Sequence, residues 1–325
     1  MTAVLLTALV LAACCLVLLV AILVVSALLS IADCGRFGTI FRRGLWLLSI
    51  PFLALAYGSL IERNVFKVNE VEIVFTDLPD AFDGYRIVQI SDIHADSFRY
   101  RKKALGRAVS KINSLHGDLI AITGDLITKS PEEVVPLQET LSGLHAPDGV
   151  FSILGNHDYG TYMQVGKEVE AAAEANLRRI QGEMGWQLLG NSHEVIRRGA
   201  DSIAVVGVEN ITPGNLFPST GNLKLAEEGL GPCWRVLLSH DPAHWESEAL
   251  GKGYNLTLSG HTHAFQFSVL GWCPCRYLFR QYRGLYEKGG QYLYVNIGLG
   301  ETAFPARIGA APEITLITLR RKQGA

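Results

Sequence analysis

The sequence predicts an α/β fold behind an N-terminal transmembrane helical hairpin, on three grounds. Five short apolar runs, rich in Val, Ile and Leu, have the composition of strands buried on both faces. Through the first half of the main domain these runs end about thirty residues apart, the length of one strand, a crossover helix and the next parallel strand. The first 61 residues carry two long uncharged stretches.

From the N-terminus, Met1 to Ile31 holds no charged side chain, well beyond the roughly 20 apolar residues that cross a bilayer. A secretory signal peptide needs a basic start and a short apolar core, and this stretch has neither. Gly44 to Ile61 gives a second uncharged stretch of about 27 Å at 1.5 Å per residue, with Pro51 marking a kink. Two spans, at 3–31 and 44–61, predict a multi-pass protein of the cell membrane. A buried helix pair of a soluble domain is the rival, and the length of the first run counts against it. Arg36, Arg42 and Arg43 against Asp33 in the connecting loop put that loop in the cytoplasm and the main domain outside. Arg63 and Lys67, just after the second span, pull the other way, so the side of the membrane stays open.

Cysteine usage adds little. Cys14 and Cys15 lie in the first span and Cys34 at its edge, while Cys233, Cys273 and Cys275 are too few and irregular for a disulfide framework and lean toward a reducing compartment. Residues 62–84 read as a linker containing an edge strand around Val71 to Phe75, and 85–325 as the main domain.

Within that domain each run leads into polar residues: Arg86 to Ser91 before Asp92-Ile93-His94, Leu119 to Gly124 before Asp125, and Val150 to Gly155 before Asn156-His157-Asp158. Trp234 to Ser239 precedes His240, and Asn255 to Gly260 precedes His261-Thr262-His263. Between the first two, Ala104, Leu105, Ala108, Val109, Ile112 and Leu115 fall at helical spacing. The next crossover opens with Ser130 as N-cap, Pro131 at the first helical position and Glu132 and Glu133 in the first turn, with Pro136 distorting the residues after it. A third helix, 164–184, comes after the Asn156 motif. Gln291 to Asn296 and Glu313 to Leu319 predict two more strands, the first entered through a Gly289-Gly290 hairpin turn. Parallel strands put their C-terminal ends on one sheet edge, where the ligand sites of open α/β sheets form, so the polar residues converge.

A net charge of −2 and the lack of a long Lys/Arg block argue against nucleic acid as the main ligand. A lone Gly-Asn-His-Asp reads as a turn and a lone Gly-His-x-His as a loop; the specificity lies in the ordered set. Asp92-x-His94, Gly124-Asp125, Gly155-Asn156-His157-Asp158, His240 and Gly260-His261-x-His263, in that order over 85–320, resemble the calcineurin-like metallophosphoesterase family. The arrangement is similar to its membrane-anchored branch, with Gly298 to Ile308, including Glu301 and Phe304-Pro305, where that branch has a Gly/Pro-rich segment.

The resemblance implies a four-layer α/β/β/α sandwich of two facing mixed sheets. It also implies two divalent ions, one held by Asp92, His94, Asp125 and His263 and the other by Asp125, Asn156, His240 and His261, with Asp125 bridging. Two cations that close need a shared carboxylate to offset their repulsion, and the water between them becomes acidic enough to act as nucleophile. His157 stands beside a ligand but outside the set, which suits a general acid or a stabiliser of phosphoryl charge, with Asp158 to orient it. The N and O donors, without thiolate, suit Mn, Fe or Zn better than Ca or Mg.

Other polar residues carry weaker expectations. His116, His145, His193 and His244 read as surface or capping residues, Asp96 and Asp241 as turn residues or partners of ligands, and the basic run Arg99 to Lys103 as a solvated helix start more readily than as a site for a substrate phosphate. Trp272, Tyr277, Phe279 and Tyr282 form an aromatic cluster that could pack against lipid or form a substrate wall, with core packing the stronger reading.

Together these features predict a membrane-anchored, metal-dependent phosphoesterase acting on a phosphate ester or pyrophosphate of a phosphorylated small molecule or lipid. Pyrophosphate cleavage in UDP-diacylglucosamine is one family precedent, and it requires a cytosolic domain, opposite to the loop-charge cue. A nuclease or cyclic-nucleotide phosphodiesterase would use the same centre. A membrane sensor or scaffold with a degenerate site would have lost a ligand, and none is lost.

Overall fold

Alternating burial along the strands sets the layering. In the computed structural model, which describes residues 3–32, 35–212 and 218–322, Leu119 and Ala121 of one strand enter one core while Ile120 and Ile122 enter another. A strand buried on both faces must lie between two layers. Six strands form one sheet in the order β1-β12-β2-β3-β4-β5: β1 (Lys67–Phe75), β2 (Arg86–Ile90), β3 (Leu119–Thr123), β4 (Val150–Ile153), β5 (Gln187–Leu188) and β12 (Glu313–Arg321). The second sheet, β10-β11-β9-β8-β7-β6, comprises β6 (Ser192–Arg198), β7 (Asp201–Gly207), β8 (Trp234–Leu238), β9 (Leu256–Ser259), β10 (Gly284–Lys288) and β11 (Gln291–Val295).

The sheets face each other across a core of Ile87, Leu119, Phe151 and Ile153 from one and Ile203, Val205, Val236, Leu238 and Leu256 from the other. Outside the first sheet pack α4 (Lys102–Asn113), the short α5 (Gln138–Leu141) and α6 (Lys167–Glu183), which bury Leu105, Val109, Leu141, Leu177 and Ile180. Outside the second lie α7 (Leu223–Ala226) and the turn carrying Trp245. This is the four-layer α/β/β/α order. The β2-β3-β4 pairs are parallel, as are β7-β8-β9, so in both sheets the residues after the strands emerge at C-terminal ends.

Two segments differ from their sequence reading. The second crossover contains no long helix: Ser130 makes its capping box with Glu133 over Pro131–Glu133, but a second short turn carries Pro136 and only one α-turn comes after it. The 62–84 segment contributes more than a connection. Its strand runs from Lys67 rather than Val71 and pairs in parallel with β12, with Val71 opposite Ile317.

The N-terminal 60 residues form α1 (Ala3–Ile31), α2 (Phe37–Gly44) and α3 (Ser49–Leu60), the last two joined by a tighter 3-10 turn over Leu45–Leu48. That turn lies one turn ahead of Pro51, which has no N–H to bond Leu47 and so locally breaks the α pattern. Asp33 and Cys34 lie outside the described residues. Both helical stretches, Val4–Ile31 and Phe37–Asn64, are long and apolar enough to cross a membrane, and their side chains, among them Val17, Trp46 and Leu53, are exposed. A helix apolar all round with its side chains exposed is matched to lipid rather than water.

The hairpin docks on the domain through its second arm. Gly58 lies so close to the Arg307 backbone that a Cβ there would sit 2.7 Å from the Arg307 carbonyl oxygen. The Glu62 carboxylate accepts the Gly309 N–H at 2.9 Å. Arg63 and Arg101 both grip the buried Glu301 carboxylate, with N–O distances of 2.8–3.0 Å. Removing the one acid leaves two guanidinium groups facing each other without compensation. Glu301→Ala is expected to cost about 3 kcal/mol, the scale for breaking a buried ion pair, and Glu301→Gln less. Thermal unfolding of the detergent-solubilised full chain measures it.

Candidate metal centre

Each of the five apolar runs ends at one edge of the sandwich, and the polar residues after them meet there. Asp92 and His94 follow β2, Asp125 follows β3, Asn156 follows β4, His240 follows β8, and His261 and His263 follow β9. Five of these seven residues adopt positive φ: Asp92 (49°), His94 (42°), Asp125 (54°), His261 (73°) and His263 (50°). Non-glycine residues seldom hold that conformation, and such strain concentrates at functional sites. Glycine precedes several of them for want of space. A Cβ on Gly155 would lie 2.2 Å from Asp125 Oδ1, and one on Gly260 1.9 Å from Ser91 Oγ and 2.3 Å from Asp92 Oδ2.

The donor atoms form three overlapping groups, Asp92/His94/His263, His94/Asp125/His157 and Asp125/His240/His261, each with its atoms within 4.8 Å of one another. His94 Nε2 and His263 Nε2 stand 3.1 Å apart, and His263 Nε2 is 3.2 Å from Asp92 Oδ1. His240 Nε2 lies 3.2 Å from Asp125 Oδ2 and is buried without a hydrogen-bond partner. Carboxylate oxygens and imidazole nitrogens clustered this closely in a buried site are the donor chemistry of a divalent-cation centre. The thiols do not take part: Cys273 Sγ donates to the Ala264 carbonyl and Cys275 Sγ points at that of Thr262.

Surrounding bonds fix which atom each side chain presents. A carbonyl oxygen only accepts, so His240 Nδ1 donates to Thr123 O at 2.7 Å, which leaves Nε2 as the atom turned toward Asp125. By the same logic His157 Nδ1 donates to Thr128 O at 2.7 Å, and the ring stands edge-on to His94 at 4.9 Å. Asn156 Nδ2 donates to Tyr162 Oη at 3.0 Å, which turns Oδ1 toward His261 Nδ1, 2.9 Å away. Asp92 accepts the His261 N–H and Asp125 accepts the His157 N–H.

Electrostatics follow from this crowding. Burial opposes ionisation of Asp92 and Asp125, but the neighbouring imidazoles, chiefly His263 and His240 respectively, outweigh it and hold both carboxyls below the usual range. Burial likewise disfavours a charged His240, yet Asp125 pushes it up to about 10. His94 is held well below its ordinary value by burial and by His157. Asp158 is pushed up to about 8 by burial and by Asp125.

Asp158 does not orient His157. Its oxygens accept the Ile127 and Gly155 N–H groups at 3.1 and 2.9 Å, tying two site loops together, because successive side chains of the Asn156–Tyr159 turn point in different directions. His244, read as a surface residue, is buried between Ser239 Oγ (2.8 Å) and Glu248 (3.3 Å). The sequence also held no sign of Tyr162, whose ring stacks on His157 at 3.9 Å, nor of Arg307. Arg307 is wholly buried, donates to the carbonyls of Ile297, Gly300 and Ala310, and brings Nη2 to 3.4 Å from His263 Nδ1. His157 and Tyr162 line a cavity of about 510 Å³ that reaches Phe304, Pro305 and, from α1, Leu6.

Tyr162→Phe keeps the ring on His157 and removes the hydroxyl that aims Asn156. We expect a 10- to 100-fold loss of metal affinity, the usual scale for a residue that orients a ligand, with the melting temperature of the metal-free protein almost unchanged; metal titration by calorimetry measures the first.

Comparison with known proteins agrees with this geometry. The chain is 31% identical over 276 residues to the uncharacterized metallophosphoesterase YkuE of Bacillus subtilis, spanning 81% of this chain and 89% of that protein. It is 32% identical over 295 residues to a transmembrane protein with metallophosphoesterase domain from Danio rerio, covering 86% of this chain but only 63% of that protein. It is 27% identical over 331 residues to the UDP-2,3-diacylglucosamine pyrophosphatase LpxG of Chlamydia trachomatis, covering 83% of this chain and 94% of that protein. Residues 85–265, more than half of the chain and all the strand-end motifs, match the calcineurin-like phosphoesterase profile, and the chain belongs to that family.

Proposed function

We propose that this chain is a membrane-anchored phosphoesterase that hydrolyses a phosphate ester or pyrophosphate of a lipid-linked or nucleotide-sugar substrate with two divalent cations, Mn, Fe or Zn. Residues 1–61 are the two spans, 62–84 the connection and 85–325 the catalytic domain. Asp92, His94, Asp125 and His263 hold one cation, and Asp125, Asn156, His240 and His261 the other. The observation that carries the reading is the convergence of six carboxylate and imidazole donors, Asp92, His94, Asp125, His240, His261 and His263, with the Asn156 amide oxygen on His261 and the His157 ring against His94 and Asp125. When bound, the cations supply Lewis acidity to the phosphoryl group and lower the pKa of a water enough for it to attack near neutral pH.

The chain's own residues do the rest. His157, held by Thr128 O through Nδ1, lines the cavity, where a protonated ring would donate to the leaving oxygen or to phosphoryl oxygens. Tyr162 covers one face of that ring and limits its rotation. The cavity's apolar end, with Leu6, Phe304 and Pro305, favours a substrate whose apolar part stays near the bilayer. The similarity to LpxG supports a pyrophosphate-containing lipid as the first compound to try. A nuclease or cyclic-nucleotide phosphodiesterase shares the donor set, and no basic block in the sequence favours it. A sensor with a degenerate site finds no support, since no ligand is missing.

Asp125→Asn and Asn156→Ala are expected to lower hydrolysis of an aryl phosphate ester by several orders of magnitude with the fold intact by circular dichroism. Full activity with unchanged metal content would sink the assignment. His157→Ala should lose roughly 10²- to 10⁴-fold in turnover and keep both metals, as counted by elemental analysis.

Deleting residues 1–61 removes the Leu6 wall and the Gly58 contact but keeps Glu62, Arg63 and every proposed ligand. Cleavage of a soluble ester should survive, while cleavage of a lipid-linked ester in vesicles should fall much further, because tethering raises effective concentration at the surface. Equal losses on both would show that the hairpin supports the centre itself.

A further inference from the structure

The segment from Val269 to Leu278 presents an exposed apolar surface through Val269, Leu270, Trp272, Tyr277 and Leu278, while the buried Cys273 and Cys275 root it in the domain. Val269 and Trp272 form an antiparallel bridge closed by Leu270 and Gly271, both at positive φ (49° and 83°). In a two-residue turn such positions ordinarily take Asn, Asp or Gly. Here the first is a leucine, and its side chain is fully exposed, at 103%. Leucine in that backbone conformation is strained, and the domain itself buries none of its surface in return. Trp272, Tyr277 and Leu278 are exposed beside it, with Trp272 Nε1 donating to Tyr277 Oη at 3.2 Å. The reading of this cluster as core packing therefore holds only for its half-buried members, Phe279 and Tyr282.

Its position and charge identify what covers it. Ser268 N donates to Ile308 O at 2.7 Å, and Ile308 N to Gln266 O at 2.8 Å. The same Ile308 borders Gly58 of α3, whose Cβ position lies 2.8 Å from Ile308 Cγ1. The segment thus begins one strand's width from the point where the hairpin docks. From Gln266 to Tyr286 the sequence contains no acid and three arginines, Arg276, Arg280 and Arg283. Arg280 reaches Glu246 and Arg283 the Gly271 carbonyl. Aromatic side chains, an exposed leucine tip and a cationic rim are the composition of a membrane interface.

We propose that Val269–Leu278 is an interfacial membrane element that inserts its tip into an anionic phospholipid surface. The proposal rests on the reading of the two helices as membrane spans. Its root touches the metal centre: Phe279 packs edge-on against His261 at 5.8 Å, and Thr262 Oγ1 donates to Tyr282 O at 2.6 Å. Insertion therefore fixes the mouth of the centre at the bilayer surface.

The chain's tryptophans supply the test. Trp186, Trp234 and Trp245 are buried, while Trp46 in the hairpin and Trp272 in this segment are exposed. The full-length chain is reconstituted in phosphatidylcholine/phosphatidylglycerol vesicles with plain or brominated acyl chains. Bromination should quench the Trp46→Phe chain at least about twofold more than the Trp46→Phe/Trp272→Phe chain, as expected for a tryptophan at the lipid boundary. Leu270→Asp with Leu278→Asp in the Trp46→Phe background should abolish the difference. Equal quenching of the single and double variants, with Trp46 still quenched in Trp272→Phe, would overturn the interfacial element and leave the anchor standing. Loss of Trp46 quenching as well would overturn the membrane reading itself. Trp272 shielded from both bromolipid and aqueous acrylamide would indicate a protein partner or a second copy and overturn the proposal.

Discussion

Buried carboxylates and imidazoles that converge in one place must have their charge compensated, and the rest of the domain is arranged around that constraint. Asp92 and Asp125 are almost fully buried, at 0% and 2% exposure, and taking such groups out of water costs several kcal/mol each unless a partner repays it. Backbone N–H groups of His261 and His157 repay part, and imidazoles a further part. Five residues also accept left-handed backbone, at a scale of about 1–3 kcal/mol each. A structure tolerates this only when rigid neighbours enforce it, and here the neighbours are strand ends. Gln89 Nε2 donates to Ser259 O at 2.9 Å and so ties the two sheets together just below the centre.

That dependence explains which features could be read from the sequence. Strands buried on both faces write unbroken Val/Ile/Leu runs, so β2, β3, β4, β8 and β9 were legible, and with them the residues at their ends. The helix carrying Leu105 and Val109 was legible because one face meets a core. Pro136 showed where the second crossover would be disturbed but not that its helix would shrink to one turn. The start of β1 was missed because an edge strand is only partly buried and its partner, β12, lies at the far end of the chain.

Within the site, the clustered carboxylates and imidazoles announced themselves by order and spacing, whereas the residues that aim them did not. Tyr162 acts on Asn156 through one hydroxyl and on His157 through one ring face, from an irregular turn with no period. The partner of His157 is a backbone carbonyl, which every residue possesses, so nothing in the sequence could single out Thr128 over Asp158. His244 shows the converse: a lone histidine carries no pattern, and its burial depends on Ser239 and Glu248 coming together around it.

The hairpin is joined to this centre by packing as well as by the chain. Gly58 abuts the Arg307 backbone, and the Arg307 side chain, its charge desolvated and held by three carbonyls, extends to His263. Burial pulls the Arg307 guanidinium down to about 10 against the field of nearby acids, chiefly Glu301, so it stays charged near neutral pH while the three carbonyls hold it in place. Displacing α3 would move the backbone from which this side chain is hung, and with it the face of His263 turned away from Asp92. A flexible tether could carry the domain to a bilayer but could not hold its centre at a constant depth. Two helical arms can, because Gly58 and Glu62 fix one arm to the 307–309 segment while Leu6 brings the other to the cavity that contains His157. The cavity lined by His157 and Tyr162 thus also takes Leu6, Phe304 and Pro305 into its wall, so the hairpin contributes directly to the surroundings of the centre.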